Sequence, residues 1–284
     1  MRLCMRGVEF AWGPERPRTL IMGIVNVTPD SFADGGRFLD PRAAVCHARA
    51  LAAEGADLLD VGGESTRPGA PAVSASDERA RLVPVLERLL DGPPCPVSVD
   101  TSKPEVAEAA LALGAHMVND VTALAGGPRL AEVCAAHGAG LTVMHMQGTP
   151  RTMQADPRYD DLLGEVRAGL ETAVAAAEAA GMPSEAVCID PGIGFGKTVG
   201  HNLTLLKRLD VFRSIGRPIL VGPSRKSFIG ALLDDLPPGD RLEGTLAACV
   251  MAVTAGAHIV RVHDVAAVRR AVRVAEAIRD AVPG

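Results

Sequence analysis

Eight short apolar segments, each followed by a stretch with helical character, constrain the fold of this chain more than any other feature. The first, residues 20–25, is apolar at nearly every position, which is typical of a strand buried on both faces. It stops at Asn26 and opens into a loop rich in Pro, Asp and Gly that carries one large aromatic residue. The other segments predict strands over residues 57–61, 96–100, 117–120, 141–145, 186–190, 218–222 and 259–263.

The segments between these strands carry helix signals. Asp40 and Pro41 predict the N-cap and first position of a helix that ends at Gly55, and Thr101 or Ser102 is expected to cap a helix that begins near residue 103. Eight β-then-α units in 284 residues predict the α/β class and a (β/α)8 TIM barrel. We expect residues 1–284 to form a single domain in which a short segment, residues 1–19, closes the barrel bottom.

An open doubly wound sheet is the alternative fold. No GxGxxG fingerprint follows the first strand, and no change in composition divides the chain into halves. The barrel is therefore favoured.

Composition narrows the class of partner. A net charge of -5 argues against a general nucleic-acid surface, which needs a basic stripe. The six cysteines are scattered without a CxxC pair, which favours a reducing compartment. The chain has no apolar run typical of a signal peptide or a membrane span. We predict a cytoplasmic protein with small-molecule substrates and with neither nucleic acid nor membrane as partner.

Polar or charged residues stand at nearly every predicted strand end. One such Asp is more often a helix cap than a functional group. In a barrel, however, these ends converge on the face that carries the active site. The strand-end set comprises Asn26, Asp60, Asp100, Asn119, Asp120, His145, Asp190, the turn 224–227, Arg261 and His263.

The chemistry of this set suits one kind of ligand. Carboxylates and amides in a buried pocket match a flat heterocycle that has N–H donors and ring acceptors. Arg67, Lys226, Arg261 and His263 can hold an anionic leaving group or stack on a ring. A nucleotide-like or pterin-like substrate with phosphate is the inference.

Two motifs suggest other chemistry. Residues 190–198 resemble a P-loop, but Pro191 stands where that motif needs glycine. Met144, His145 and Met146 could suggest a soft-metal site, although packing with one hydrogen-bonded histidine is the simpler interpretation.

Several segments resemble the dihydropteroate synthases, a family of pterin-binding enzymes. IMGIVNVTPDSFADGG (21–36) and DVGGESTRPGA (60–70) resemble its two signature segments, and SVDTSKPEVAEAAL, GAHMVNDVTAL, VMHMQGTP, IDPGIGFGKTVGHNLTLL, VGPSRKSFIG and RVHDV resemble further segments in the same order. The resemblance covers essentially the whole chain. It departs at Ala33, where the family often has Ser.

The resemblance implies condensation of 4-aminobenzoate with 6-hydroxymethyl-7,8-dihydropterin diphosphate, which gives dihydropteroate and pyrophosphate in folate synthesis. It also implies Mg²⁺ as cofactor, a homodimer and sensitivity of the aminobenzoate site to sulfonamides. The resemblance implies that Asp100, Lys226 and Arg261 are catalytic and that the same three residues bind the pterin together with Asn119 and Asp190. It implies that the diphosphate is bound by Asn26, Arg261 and His263, with Asn26 also at the metal, and that Phe32 and Asp34 belong to a lid loop. The implied aminobenzoate site consists of Thr66, Arg67, Pro68, Phe195 and Ser227.

Two other functions share parts of this pattern: a pterin-dependent methyltransferase domain and a non-catalytic pterin-binding homologue. The Ser-Arg-Lys-Ser turn and the Ser-Thr-Arg-Pro loop favour an aminobenzoate site over a corrinoid partner. Intact Asp34, Arg67 and Ser227 argue against loss of the second-substrate site.

Overall fold

The computed structural model describes residues 1–13, 18–28, 40–67 and 69–281. Its strands are β1 (Arg2–Met5), β2 (Val8–Ala11), β3 (Leu20–Asn26), β4 (Leu58–Gly62), β5 (Val97–Asp100), β6 (Met117–Asp120), β7 (Gly140–Met144), β8 (Val187–Asp190), β9 (Leu220–Val221) and β10 (Ile259–Val262). Its α-helices are α1 (Pro41–Ala53), α2 (Ala75–Leu90), α3 (Pro104–Leu113), α4 (Arg129–Ala136), α5 (Leu162–Ala179), α6 (Val199–Lys207), α7 (Ser227–Leu232), α8 (Leu242–Thr254) and α9 (Val265–Arg279).

Strands β3 to β10 form a parallel barrel with helices around it. The hydrogen-bonded order is β8-β7-β6-β5-β4-β3-β10-β9, so the first and last barrel strands are neighbours. An isolated parallel bridge between Ile189 and Ile219 joins β8 to the start of β9, and the amide of Ile189 donates to the carbonyl of Pro218 at 2.9 Å. The (β/α)8 TIM barrel is confirmed, and the doubly wound sheet is excluded because its edge strands would not pair.

The apolar character of the strands matches their surroundings. Every residue of β4, β5, β6, β7 and β8 is buried, because one strand face packs inside the barrel and the other against the helices. Strand β9 is shorter than predicted, with two residues instead of five.

The N-terminal residues form an antiparallel hairpin of β1 and β2. Leu3 and Met5 of this hairpin are buried in a cluster that contains Met22, Leu58 and Met117, which lie near the amino ends of barrel strands. The hairpin therefore covers apolar side chains at the end of the barrel opposite the strand-end residues.

A short repeated motif connects helices to strands at that same end. Directly before β4, β6 and β10, the chain reads Gly-Ala followed by a residue whose side chain accepts a hydrogen bond. Each of these glycines has a φ above +100°, a conformation that favours glycine at a helix end. The acceptors Asp57, His116 and His258 then take the backbone N–H of Ile21, Val97 and Ile219 at 2.8, 3.2 and 3.1 Å. These three side chains satisfy N–H groups on neighbouring strands that would otherwise be unpaired.

Helix α1 begins as predicted, whereas the predicted cap of α3 is wrong. Asp40 accepts the amide of Arg42 at 2.9 Å and Pro41 is the first helical residue. The N-cap of α3 is Lys103, which makes no side-chain capping bond, and Thr101 instead accepts the amide of Lys103 at 3.2 Å. Pro104 at the first helical position reduces the need for a cap, since proline has no N–H to satisfy. None of the helices in the described ranges is long and apolar enough to cross a membrane.

Candidate active site

Arg261 lies at the centre of the polar barrel end. Its Nε donates to Asp60 Oδ2 at 2.6 Å, and its Nη2 donates to Asp100 Oδ2 at 2.8 Å. Asn119 Nδ2 donates to the same Oδ2 of Asp60 at 3.0 Å. Strands β4, β5, β6 and β10 therefore bring residues at or near their carboxyl ends into one hydrogen-bonded network.

Asp60 is the member of this network to which sequence reasoning gave no role. Its side chain is fully buried, and its Oδ1 has no hydrogen-bond partner among the described residues. The signal was present, because Asp60 is a polar residue near the carboxyl end of an apolar strand, two residues before the end of β4, but its link to Arg261 joins residues 201 positions apart and depends on barrel closure.

Burial governs the protonation of Asp100. The pKa of Asp100 is raised to about 7: desolvation by burial is the main cause, the carboxylates of Asp60 and Glu78 act in the same direction, and the Arg261 guanidinium opposes them. The pKa of Arg261 is itself raised, since the attraction of Asp60 and Asp100 exceeds its own desolvation. Arg261 is thus a permanent cation between two carboxylates.

Asp190 and Lys226 form the adjoining half of the site. Asp190 Oδ1 accepts the amide of Gly192 at 2.7 Å, and burial raises the pKa of this carboxyl to about 6. Lys226 Nζ lies 3.8 Å from the ring centroid of Phe195, within the range of a cation–π contact. Burial and the charge of Arg261 lower the pKa of Lys226 to about 7, and Asp190 and Asp100 act in the opposite direction.

His263 follows β10 and is tied to the turn after β9. Its Nδ1 shares a hydrogen bond with the hydroxyl of Ser224 at 3.0 Å, and its own amide donates to the same oxygen at 3.3 Å. Burial, with the charges of Arg225 and Arg261, lowers the pKa of His263 to about 3, so the imidazole is neutral near pH 7.

The turn that holds Lys226 is anchored through Arg225. Arg225 has a φ of 58°, unusual for a residue with a side chain, and its guanidinium donates to both oxygens of Asp264 at 3.1 and 2.6 Å. Its amide donates to Thr245 Oγ1 at 3.0 Å, and its carbonyl accepts from Arg241 at 2.9 Å. These contacts fix the backbone on which Lys226 and Ser227 follow.

The remaining predicted site residues lie on the strand ends and loops of the same barrel end. Asn26 is the last residue of β3, opposite Gly62 of β4, and is partly exposed. Thr66 and Arg67 lie in the loop after β4, and Ser227 is the exposed first residue of α7. The predicted Phe32, Asp34 and Pro68 lie outside the described residues.

A cavity of about 490 Å³ lies beside the network, between the loops after β4, β5, β6 and β7. Thr66 and Asp100 line it together with Glu64, Ser102, Lys103 and Thr152. Glu64 holds the loop after β4 by accepting the amide of Val73 at 2.8 Å, and it forms an ion pair with Lys103. A ligand in this space would reach Asp100 from the side of Thr66.

The two motifs set aside in the sequence are structural. Thr198 caps α6 through the amide of His201 at 3.1 Å, in the place of a P-loop threonine. His145 Nδ1 lies 3.3 Å from Lys197 Nζ, and Met144 packs with Met153 and Phe195. Within the described ranges, no three His, Cys, Asp or Glu side chains are grouped so as to hold a metal.

Asp120, another strand-end residue, is also structural. Its carboxylate accepts the amide and hydroxyl of Thr122 at 2.8 and 2.7 Å and the amide of Leu124 at 2.6 Å, and so it shapes the turn after β6. The neighbouring Asn119, not Asp120, faces the network.

Comparison with known proteins gives a consistent result. The family model described as pterin binding enzyme matches residues 22–263. The dihydropteroate synthase of Escherichia coli is 48% identical over 257 residues, which are 90% of this chain and 90% of that protein. A dihydropteroate synthase structure from Yersinia pestis with a sulfonamide drug superposes with a TM-score of 0.92 at 42% identity, over 99% of this chain and all of the other. A Xanthomonas albilineans dihydropteroate synthase structure with 4-aminobenzoic acid has a TM-score of 0.87 at 48% identity and covers 94% of both chains.

Proposed function

Because this chain belongs to the dihydropteroate synthase family of pterin-binding enzymes, we propose that its barrel end condenses 4-aminobenzoate with 6-hydroxymethyl-7,8-dihydropterin diphosphate. The products are 7,8-dihydropteroate and pyrophosphate, and the reaction is a transferase step of folate biosynthesis. The observation that carries the proposal is the permanent cation of Arg261 held between Asp60 and Asp100, beside Asp190 and Lys226. This arrangement brings carboxylates that can accept hydrogen bonds from a pterin together with a cation that can bind its diphosphate leaving group.

The pterin ring would lie among Asp100, Asn119, Asp190 and Lys226. Asp190, oriented by the Gly192 amide, would accept from the ring N–H and the exocyclic amine, and Lys226 would donate to the ring acceptors. Arg261 would stack on the ring while it contacts phosphate, since a planar guanidinium can do both. Leaving these buried groups unpaired would be costly, which favours a heterocycle with matching donors.

The diphosphate would lie toward Asn26, Arg261 and His263. The side-chain oxygen of Asn26 suits Mg²⁺, which prefers oxygen ligands and combines one or two protein groups with substrate phosphates. Asn26 would hold the ion, which would neutralise phosphate charge when bound. His263 would bind as a neutral donor through Nε2–H if Ser224 donates to its Nδ1.

The chemistry would be a largely dissociative substitution. The bond between the methylene carbon and the diphosphate oxygen breaks, and Arg261 and His263 stabilise the charge on the departing pyrophosphate. The dihydropterin carries the positive charge of the methylene, which the carboxylates of Asp60 and Asp100 stabilise. The neutral amine of aminobenzoate then attacks the methylene carbon. The anilinium that forms is acidic and gives its proton to water or to the departing pyrophosphate, so no strong base is needed.

Aminobenzoate would bind against Thr66, Arg67, Phe195 and Ser227, with its carboxylate near Ser227. Thr66 lies on the cavity wall shared with Asp100, and Phe195 lies beside Lys226. Pro68 is predicted to be a further contact of aminobenzoate, and Phe32 and Asp34 are predicted to lie on a lid over the site. We expect sulfonamides, which mimic aminobenzoate, to compete at this site; the related Yersinia pestis enzyme was crystallised with such a drug.

We further propose a cytoplasmic homodimer. Helices α8 and α9 are neighbours and expose apolar side chains, among them Met251, Val274 and Ile278 at 53, 60 and 72%. Exposed apolar side chains on two neighbouring helices support the proposal of a partner surface there. All six cysteines are free, which favours a reducing compartment.

Pyrophosphate release tests the function. Purified protein with pterin diphosphate, Mg²⁺ and aminobenzoate should release one pyrophosphate for each dihydropteroate formed. Failure of aminobenzoate to stimulate release would instead indicate a pterin-binding homologue without transferase activity.

A further inference from the structure

The loop after β8, residues 191–198, surrounds the buried side chain of Lys197. Lys197 Nζ donates to the carbonyls of Phe195 at 2.9 Å and His145 at 3.3 Å, and it lies 3.3 Å from His145 Nδ1. Only 2% of the residue is exposed. Glycine-rich phosphate loops present N–H groups to an anion, whereas this loop presents a carbonyl oxygen to an internal amine. The occupant of the loop is therefore the chain's own lysine.

Three consecutive carbonyls of this loop each accept a side-chain hydrogen bond. Gln154 Nε2 donates to Gly194 at 2.9 Å, Lys197 to Phe195, and the hydroxyl of Tyr159 to Gly196 at 2.8 Å. Gln154 and Tyr159 come from the segment between β7 and α5. The backbone of residues 194–196 is thus held from both sides.

The same backbone also forms the wall against which Lys226 lies. The Phe195 ring faces Lys226 Nζ at 3.8 Å. A Cβ atom at Gly194 would lie 2.8 Å from Lys226 Cδ, so the lysine stem packs against bare backbone. A shift of residues 194–196 would therefore displace the Lys226 ammonium group.

We propose that Lys197 is a positioning residue for Lys226. By tying the Phe195 carbonyl to the strand end at His145, it fixes the ring and the backbone that hold the Lys226 side chain. The identity of the substrates that Lys226 meets rests on the proposed function; the geometry between the two lysines does not.

Lys197→Met keeps a similar side-chain length and removes the donor. We expect the KM for pterin diphosphate, the substrate assigned to Lys226, to rise about tenfold or more, because small displacements of positioning groups have effects of this size. KM does not depend on how much of the protein is folded, so it separates positioning from loss of stability. Lys207→Met, an exposed lysine on α6, is the matched control and should keep the wild-type KM.

A second measurement does not depend on activity. In ligand-free protein labelled at lysine Cε, NMR titration should show that the pKa of Lys226 rises from about 7 in Lys197→Met, because looser packing of residues 194–196 around Lys226 lets water reach its ammonium group. Lys197→Met also removes a neighbouring charge, so Tyr159→Phe, which removes one tether and no charge, should shift the pKa in the same direction by a smaller amount.

Wild-type values of both the pterin diphosphate KM and the Lys226 pKa in Lys197→Met would overturn the proposal, even if less protein folds. If that variant cannot be purified folded, the double variant Gln154→Leu, Tyr159→Phe decides by the same NMR titration. A Lys226 pKa unchanged in the double variant would show that the loop does not position Lys226.

Discussion

Arg261 and Asp100 meet across the barrel end with the Nη2 and Oδ2 atoms 2.8 Å apart, although 161 positions separate them in the chain. Asp60 holds the same guanidinium through Nε. Two carboxylates thus hold one planar cation, and the proposed pterin and diphosphate sites share it.

Replacing Arg261 with Lys tests the need for a planar cation. Lysine keeps the charge but cannot donate to Asp60 and Asp100 in the same fork geometry. We expect the Kd for pterin diphosphate to rise about tenfold and kcat to fall about a hundredfold, consistent with the loss of an oriented transition-state contact. Isothermal calorimetry and steady-state kinetics measure both. Arg270→Lys, on the exposed surface of α9, is the control, and equal behaviour of the two variants would contradict the role.

Binding of pterin diphosphate should depend on pH through Asp190 and Lys226. The Asp190 pKa is raised to about 6, so below that pH the carboxyl protonates and no longer accepts from the ring as a carboxylate. The Lys226 pKa is lowered to about 7, so above that pH the amine loses its charge. The Kd should therefore be lowest between about pH 6 and pH 7.

Asp100, whose pKa is also about 7, lies at the same proposed ring site, so a variant is needed to assign the alkaline side of the profile to Lys226. In Lys226→Arg the weakening on the alkaline side should disappear, since arginine stays charged. An alkaline limb that persists unchanged in Lys226→Arg would assign it to another group.

His258 should make the fold sensitive to acid. Its Nδ1 accepts the Ile219 amide, and burial lowers its pKa to about 4 from an ordinary value near 6.5. Between these values the unfolded chain binds more protons, so stability falls as pH drops from about 6.5 to about 4. The loss is on the order of 2 to 3 kcal/mol, from 1.36 kcal/mol for each pKa unit.

His258→Asn provides the comparison, since its Oδ1 can accept the same amide, as Asp57 does for Ile21. Urea unfolding at pH 7 and pH 4.5 should show a smaller difference for this variant than for the wild type. A difference of the same size in both proteins would exclude His258 as the source.

Phe32 and Asn26 should separate the two substrates. Phe32→Ala should mainly raise the KM for aminobenzoate, about tenfold, because the predicted lid closes over that site. Asn26→Ala should weaken pterin diphosphate and Mg²⁺ binding, because Asn26 ends a rigid strand next to the proposed diphosphate site. Titrations of each ligand measure the two effects, and equal losses of both in each variant would show that the loop is not a separate lid.

The sequence was most informative where a local pattern determines structure. Continuous apolar segments marked the barrel strands because both strand faces are buried, and Asp40 with Pro41 marked a helix start because capping is local. The strand-end rule brought Asp100, Asn119 and Arg261 together, since parallel strands of a barrel end at one face.

Contacts that depend on closure or on backbone direction could not be predicted in this way. The bond from Arg261 to Asp60 needs the last strand beside the first. Pro191 excluded a P-loop over residues 190–198, but the sequence could not predict that the Phe195 carbonyl points toward Lys197, because carbonyl direction depends on the backbone conformation of the folded loop. Lys103 is the N-cap of α3 because Pro104 is the first helical residue, so the helix begins beyond Thr101 and Ser102, whose hydroxyls were expected to cap it.

The central claim is that the carboxylate of Asp100 stabilises the cationic methylene as pyrophosphate leaves. The direct measurement is the single-turnover rate of Asp100→Asn with pterin diphosphate already bound and aminobenzoate added. Asp91→Asn, at the exposed residue that caps the C-terminal end of α2, is the control. We expect the rate to fall by about a hundredfold to a thousandfold, the size of effect seen for charge-stabilising groups, while the Kd for pterin diphosphate changes less than about fivefold. A wild-type single-turnover rate in Asp100→Asn would contradict the account.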